Sequence, residues 1–264
     1  MMRSVLSTAR RRPGVVYFVL AYALAWVLYP LIAVNQLFGL LGLFAPAAAA
    51  VIASAWIGGR AEVRALLRRL TATAWRVGWV WYAVALGLPV LLSLAILGIA
   101  ILRGAPAAFQ ISPISPLLLV VFVLVVGEEL GWRGFAQPAL ERTRSPVIAA
   151  LIVGVLWGLW HLPTFILPGM PQEGIPLPAF LIFTTAASVV LAWLMRRANG
   201  SVVIATLFHG AFNTFGVLTP SLSTAERWWL TAIVYSLAAA IVLLLVPGMV
   251  GRPAIAGGSV AAAD

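Results

Sequence analysis

The amino-acid sequence predicts an all-α membrane protein, a bundle of about eight transmembrane helices. The chain is 63% hydrophobic and only 9% charged, whereas soluble domains are about a quarter charged. It contains eight apolar runs near the length of about 20 residues that a helix needs to cross the hydrocarbon core. Arginines occupy every second connection between these runs. We expect one helical domain over residues 1–250, and a disordered cytoplasmic tail over the glycine- and alanine-rich residues 251–264.

The predicted spans share high apolar content and lack charged runs. They are 15–38, 40–57, 79–102, 116–138, 146–167, 178–195, 201–218 and 228–246. The first is too long for a cleaved signal peptide, whose apolar region has about 7–15 residues. Only a few residues around Gly39 separate the first two spans, which predicts a tight hairpin there.

Two further local features follow from the same pattern. Residues 60–76 predict an amphipathic interfacial helix that turns its arginines outward and Val63, Leu66, Leu67 and Leu70 toward lipid. Pro163 predicts a kink or break in the fifth span next to His161, because proline cannot complete the helical hydrogen bonds.

The charge pattern predicts the orientation and excludes several functions. The net charge of +10 comes from arginine alone, and its placement predicts cytoplasmic termini for a multi-pass protein of a bacterial plasma membrane. No basic patch is interleaved with exposed aromatic residues, so the expected partner is the lipid bilayer and not nucleic acid. The chain has no cysteine, which excludes disulfides, thiolate metal ligands and a cysteine nucleophile.

Two adjacent glutamates, Glu128 and Glu129, lie within the fourth predicted span. A carboxylate at membrane depth is costly unless it is paired or has a function. Glu129 and Arg133 are four residues apart, so they share a helix face and can pair. Glu128 is turned about 100° away from Glu129. This geometry predicts that Glu129 is a structural anion and that Glu128 is left for general-base chemistry.

Both histidines of the chain fall in apolar spans. His161 lies in the fifth span, and His209 lies in the seventh with Asn213 one turn later. Because polar groups inside the membrane are usually functional, we expect spans four, five and seven to meet around a polar cavity. Glu128, His161 and His209 match the ligands of a catalytic Zn²⁺ with one position open for water. In a metal-free alternative, Glu128 and His161 polarise the water while His209 and Asn213 hold an oxyanion.

Three motifs in these spans resemble those of the CPBP family, which comprises the CAAX proteases and the bacteriocin-processing enzymes. EExxxR is present as Glu128 to Arg133, FxxxH as Trp157 to His161, and HxxxN as His209 to Asn213. The resemblance covers residues 117–218. Trp157 replaces the family's phenylalanine, and we expect this difference to affect packing size and not chemistry.

The resemblance implies an intramembrane metalloprotease that hydrolyses a peptide or membrane-protein substrate. In this assignment Glu128 activates water with help from His161. The metal or the oxyanion is bound by His209 and Asn213, and the site is supported by Glu129 and Arg133. Two alternatives remain open. One is a non-catalytic scaffold or bacteriocin-immunity protein on the same fold. The other is a proton-coupled transporter, although the sequence has no evident internal repeat.

Overall fold

The structure is a computed structural model that describes residues 13–35, 37–71, 76–105, 116–215 and 222–251. Within these ranges the chain forms helices and turns and no strand. The helices, in chain order, are α1 (Pro13–Leu28), α2 (Leu37–Leu43), α3 (Ala45–Arg68), α4 (Trp79–Leu102), α5 (Pro116–Leu124), α6 (Val126–Gly131), α7 (Gln137–Glu141), α8 (Pro146–Trp160), α9 (Leu162–Ile166), α10 (Leu177–Arg197), α11 (Val202–Phe215) and α12 (Thr224–Leu245). A 3₁₀ turn, Tyr29–Ala33, extends α1, a π-helical turn, Trp132–Ala136, joins α6 to α7, and a 3₁₀ turn, Pro247–Met249, follows α12.

The outer surface of the bundle is apolar. Val19 on α1, Leu91 on α4 and Leu237 on α12 are each more than half exposed. Large exposed apolar surfaces mark contact with lipid or with another apolar partner. Four described helices (α1 with its 3₁₀ turn, α4, α10 and α12) are long and apolar enough to cross a bilayer, and the bent pair α2–α3 could form a fifth span. The protein is therefore an all-α membrane bundle.

The remaining predicted spans are shorter or broken. The fourth comprises α5, α6, the π-helical turn and α7. The fifth ends its main helix at Trp160 and resumes at Leu162, which confirms the break predicted from Pro163. The seventh is described only to Phe215. Apolar composition thus located helices in these three segments, and their internal breaks depend on packing around polar side chains. The number of eight membrane crossings stays a prediction.

Helix α10 is the centre of the bundle. Of its most apolar 18-residue stretch, 67% is buried inside the bundle, compared with 22–33% for the corresponding stretches of the other long helices. Helices α8 and α12 both pack along it, α11 packs against α4 and α5, and α1 packs against α3. This arrangement encloses the polar parts of α6, α8 and α11 within the protein.

Glycines allow the motif helices to approach their neighbours closely. A Cβ added at Gly131 of α6 would lie 2.5 Å from the side chain of Pro46, and one at Gly154 of α8 would lie 2.5 Å from the Cα of Thr185. Real Cβ atoms do not approach so closely, so neither site tolerates a larger residue without helix displacement. Small residues at helix contacts are the usual way in which membrane helices pack.

The arginine-rich connections meet at one end of the bundle. Arg196, at the end of α10, lies 3.6 Å from the carboxylate of Glu141, at the end of α7. The N–H of Val202, which begins α11, donates to the carbonyl of Arg69 after α3. Connections that the alternating arginines predict to share one side of the membrane are therefore neighbours in space.

Two local predictions are wrong. Gly39 lies inside α2, so the connection between the first two spans precedes it. Leu66 is 4% exposed and faces Gly134 inside the bundle, not lipid. Amphipathic spacing identified the apolar face of that segment, but lipid and protein interior are both apolar. The predicted tail and the N-terminal arginines lie outside the described residues, apart from Gly251.

Candidate active site

Helix α6 and the π-helical turn present the first motif. Glu128 and Glu129 are 3% and 0% exposed, and Arg133, in the π-helical turn, is 1% exposed. The N–H of Gln137 donates to the carbonyl of Trp132, five residues earlier, instead of to the usual fourth. Such insertions are frequent at functional sites because they change the direction of side chains locally.

Glu129 is the anion of a buried ion network. Its Oε1 accepts from Nη1 of Arg133 at 2.9 Å and from Nδ1 of His209 at 2.7 Å. The predicted pairing of Glu129 with Arg133 is thus present in the structure. Since a carboxylate only accepts, Nδ1 of His209 carries the proton, and the ring directs Nε2 elsewhere. Glu129 therefore orients His209 as well as neutralising Arg133.

Glu128 has a neutral partner. Its Oε2 accepts from Nε1 of Trp157 at 2.8 Å, and the indole is itself 2% exposed. The expectation that Trp157 differs from the family's phenylalanine only in size is therefore wrong. Phenylalanine has no hydrogen-bond donor, whereas the indole N–H of this chain binds the carboxylate directly.

His161 is held by the same tryptophan through its backbone. Nδ1 of His161 lies 2.9 Å from the carbonyl oxygen of Trp157. Because a carbonyl only accepts, Nδ1 carries the proton and Nε2 keeps its lone pair. The break between α8 and α9 at His161 leaves this half-buried ring at the end of a helix, where the ring can face a cavity.

Trp157, the first residue of the second motif, contacts residues of the other two. Its ring centroid is 5.2 Å from that of His209 and 6.0 Å from that of His161. The guanidinium carbon of Arg133 lies 4.4 Å from the indole centroid, the geometry of a cation–π contact. The structure thus brings spans four, five and seven together, as the sequence analysis predicts.

Asn213 lines a cavity of about 310 Å³ between α4, α11, α12 and the loop before α10. The neighbouring Phe212 lines the same cavity and stacks on His209 at a centroid distance of 4.7 Å. Arg227 and Glu173 supply charged groups to its wall. A volume of about 300–1,000 Å³ is usual for small-ligand sites. The cavity lies at the lower end of this range, and it is lined by Asn213 but not by Glu128, His161 or His209. A polar cavity around all four residues stays a prediction.

The predicted metal ligands have suitable chemistry but are not assembled. A divalent metal could bind Nε2 of His161, and also Nε2 of His209 when that ring is neutral. In both rings the opposite nitrogen, Nδ1, is hydrogen-bonded to an oxygen, as is usual for metal-ligating histidines. Among the described residues, however, no three histidine, aspartate or glutamate side chains are placed to hold one ion. A metal bound by Glu128, His161 and His209 stays a prediction.

Helix α1 supports the site in a way that the sequence analysis missed. Its hydrogen bonds with α8 run from Tyr22 to the Leu156 carbonyl at 2.5 Å, from Trp26 to the Trp160 carbonyl at 3.0 Å, and from Trp160 back to the Ala21 carbonyl at 3.2 Å. A signal was present in the sequence, because the fully buried Tyr17, Ala21 and Ala25 recur every four residues. A stripe with small residues at that spacing indicates a helix contact face.

Comparison with known proteins gives two matches. The family described as "Type II CAAX prenyl endopeptidase Rce1-like" matches residues 110–215, the segment that carries all three motifs. The CAAX prenyl protease 2 of Methanococcus maripaludis is 26% identical over 169 residues, which are 59% of this chain and 62% of that relative. The chain thus spans less than two thirds of the relative that it matches. Both comparisons thus find the segment from residue 110 to residue 215, which carries the three motifs, similar to CAAX proteases.

Proposed function

We propose that the protein is an intramembrane endopeptidase in which Glu128 is the general base. The observation that carries this proposal is the difference between the two buried carboxylates. Glu129 is committed to Arg133 and His209, whereas Glu128 is bound by one neutral donor. A general base needs a carboxylate whose charge is not already neutralised by a fixed cation.

The reaction follows from the position of Glu128. Glu128 accepts a proton from a water molecule, and the water oxygen attacks the carbonyl carbon of the peptide bond. The resulting tetrahedral oxyanion collapses, the C–N bond breaks, and Glu128 returns the proton to the leaving amine. The products are a carboxylic acid and an amine, which exchange a proton to give a carboxylate and an ammonium group, so Glu128 ends the cycle ionised.

The histidines and Asn213 have complementary roles in this proposal. Nε2 of His161 accepts a hydrogen bond from the water and orients it toward the peptide. The side-chain amide of Asn213 donates to the oxyanion. His209 can donate from Nε2 only as an imidazolium, because its Nδ1 proton already faces Glu129. The Glu129 carboxylate stabilises that charged form.

A divalent metal remains part of the proposal without a step assigned to it. Glu128, His161 and His209 would hold it, and it would supply a more acidic water at neutral pH. Both histidines fit this role chemically through Nε2. A chelator tests it: a metal-dependent enzyme loses hydrolysis on dialysis against the chelator and regains it on addition of Zn²⁺, whereas a metal-free enzyme does neither.

The proposed substrate is a peptide or a segment of a membrane protein that enters from the cavity next to Asn213. The relative is named CAAX prenyl protease 2, so a farnesylated CAAX peptide is the first probe. An unprenylated peptide of the same sequence tests whether the lipid contributes to binding.

Hydrolysis by purified protein in nanodiscs tests the proposal. Internally quenched peptides, prenylated and unprenylated, are incubated with the wild type, Glu128→Gln and Glu62→Gln. Glu62 is exposed and far along the chain from the motifs, so it controls for loss of one carboxylate. We expect cleavage by the wild type and Glu62→Gln and none by Glu128→Gln. Folded wild-type protein that cleaves neither these probes nor a broader peptide library would contradict the proposal.

We also propose that both termini and the arginine-rich connections face the cytoplasm of a bacterial cell. The chain has no cysteine, so one introduced thiol is the only target for a membrane-impermeant maleimide. Thr143 lies beside two arginines, and Pro171 lies in the loop before α10; both are exposed. We expect intact cells to label Pro171→Cys and not Thr143→Cys. The reverse pattern would invert the orientation.

A further inference from the structure

We propose that Trp157 is a positioning residue for the reaction, and that its indole N–H fixes the orientation of the Glu128 carboxylate. The inference rests on the proposed function and adds a residue to it. Trp157 stands where the family motif has phenylalanine, so this role belongs to the present chain and does not follow from the shared motif.

Three separate contacts converge on Trp157. Its Nε1–H donates to Oε2 of Glu128 at 2.8 Å. Its carbonyl accepts from Nδ1 of His161 at 2.9 Å. Its ring lies under the guanidinium of Arg133 at 4.4 Å. One residue therefore holds the proposed base, the histidine that orients water, and the cation that pairs with Glu129.

The consequence for Glu128 follows from its burial. The carboxylate is 3% exposed, and the indole is its hydrogen-bond donor among the described side chains. Binding of Oε2 by the indole leaves Oε1 as the oxygen that can accept a proton from water. Loss of the N–H would let the carboxylate rotate, and small misplacement of a reacting group can cost about 10²-fold in rate.

Trp160 provides a matched comparison on the same helix. It is 0% exposed, and its Nε1–H also makes one hydrogen bond, at 3.2 Å, but to the backbone carbonyl of Ala21. It also packs edge-on against His161, at 4.8 Å. Substitution by phenylalanine removes the same volume and one indole hydrogen bond at either position. Only at Trp157 does the lost bond end on the proposed base.

The test compares Trp157→Phe with Trp160→Phe in hydrolysis of a peptide that the wild type cleaves. We expect Trp157→Phe to lower kcat by roughly 10- to 100-fold with little change in KM, because binding does not need the indole N–H. Trp160→Phe should keep kcat within about threefold of the wild type, since its bond is not to a reacting group. If Trp157→Phe does not fold, 3-benzothienylalanine at position 157 replaces it, because sulfur then takes the place of the N–H in a ring of nearly the same shape.

A second measurement does not depend on activity. In ¹⁵N-indole NMR spectra, the Trp157 resonance is identified by its loss in Trp157→Phe. We expect Glu128→Gln to shift this resonance and Glu62→Gln to leave it unchanged, because only Glu128 accepts from it.

Three results would overturn the inference. They are a Trp157→Phe enzyme with kcat within twofold of the wild type, equal losses of kcat in the two phenylalanine variants, and a Trp157 resonance that does not respond to Glu128→Gln. Inactive wild-type protein would refute the proposed function and this role together. An active wild type with an unimpaired Trp157→Phe would refute the positioning role alone.

Discussion

Glu128 and Glu129 are adjacent in sequence and both almost fully buried, yet their hydrogen-bond partners differ in charge. Glu129 lies in an ionic region, where Oε1 binds Arg133 at 2.9 Å and His209 at 2.7 Å. The hydrogen-bond donor of Glu128 is neutral, since its Oε2 accepts from the indole of Trp157. We call this side of the site the neutral region, although the Arg133 guanidinium lies 4.4 Å from the centroid of the same indole. Helix geometry produces this separation, because consecutive residues differ by about 100° in direction.

The difference shows how one short motif can supply both a structural anion and a reactive one. A buried carboxylate with a fixed cation contributes to folding, since removal of either partner strands the other charge. A buried carboxylate whose hydrogen-bond donor is neutral is not neutralised by that donor, so it can still accept a proton. The two regions should therefore respond differently to substitution.

The largest expected effect is on the free energy of unfolding after Arg133→Ala. This change strands Glu129 in the protein interior, and loss of one partner from a buried ion pair costs about 3–5 kcal/mol. Arg196→Ala is the control, because its contact with Glu141 is 3.6 Å long and partly exposed. Exposed pairs contribute about 0–1 kcal/mol. Denaturant unfolding of both variants in the same detergent measures the difference.

Equal unfolding free energies for Arg133→Ala and Arg196→Ala would show that the ionic region does not stabilise the fold. Loss of hydrolysis by Arg133→Ala at wild-type stability would instead assign Arg133 a direct part in the reaction.

A smaller effect separates the two histidines. Glutamine at position 209 or 161 would have no donor in the place that the Nδ1–H group of the histidine occupies. His209→Gln should cost about 1.5–3 kcal/mol, because the lost hydrogen bond ends on a charged carboxylate. His161→Gln should cost about 0.5–1.5 kcal/mol, since its lost bond ends on the neutral carbonyl of Trp157. Thermal unfolding ranks the two variants, and a less stable His161→Gln would contradict the division into two regions.

The ionic region could be predicted from sequence because its main contact is local. Glu129 and Arg133 are one helical turn apart, so spacing alone places them together. The apolar spans and the arginine-rich connections follow from composition in the same way. The meeting of spans four, five and seven could be inferred because polar groups buried in an apolar protein need partners.

The neutral region could not be predicted, because its contacts are tertiary. Trp157 and Glu128 are 29 residues apart, and a tryptophan in an apolar span gives no sign of where its N–H points. The bonds between α1 and α8 were missed for the same reason. The error at Leu66 has another cause, since periodicity does not distinguish a face that meets lipid from one that meets protein.

Hydrolysis and stability of Glu128→Gln and Glu129→Gln, measured on the same preparations, test the central claim most directly. In Glu128→Gln the amide oxygen can still accept from Trp157, so we expect near wild-type thermal stability. We also expect hydrolysis to fall by about 10²–10⁴-fold, because the proton acceptor is lost. Glu129→Gln should be the less stable variant and retain part of the activity, since Arg133 then lacks its counter-ion. Near wild-type cleavage by Glu128→Gln would contradict the account and make Glu129 the candidate base.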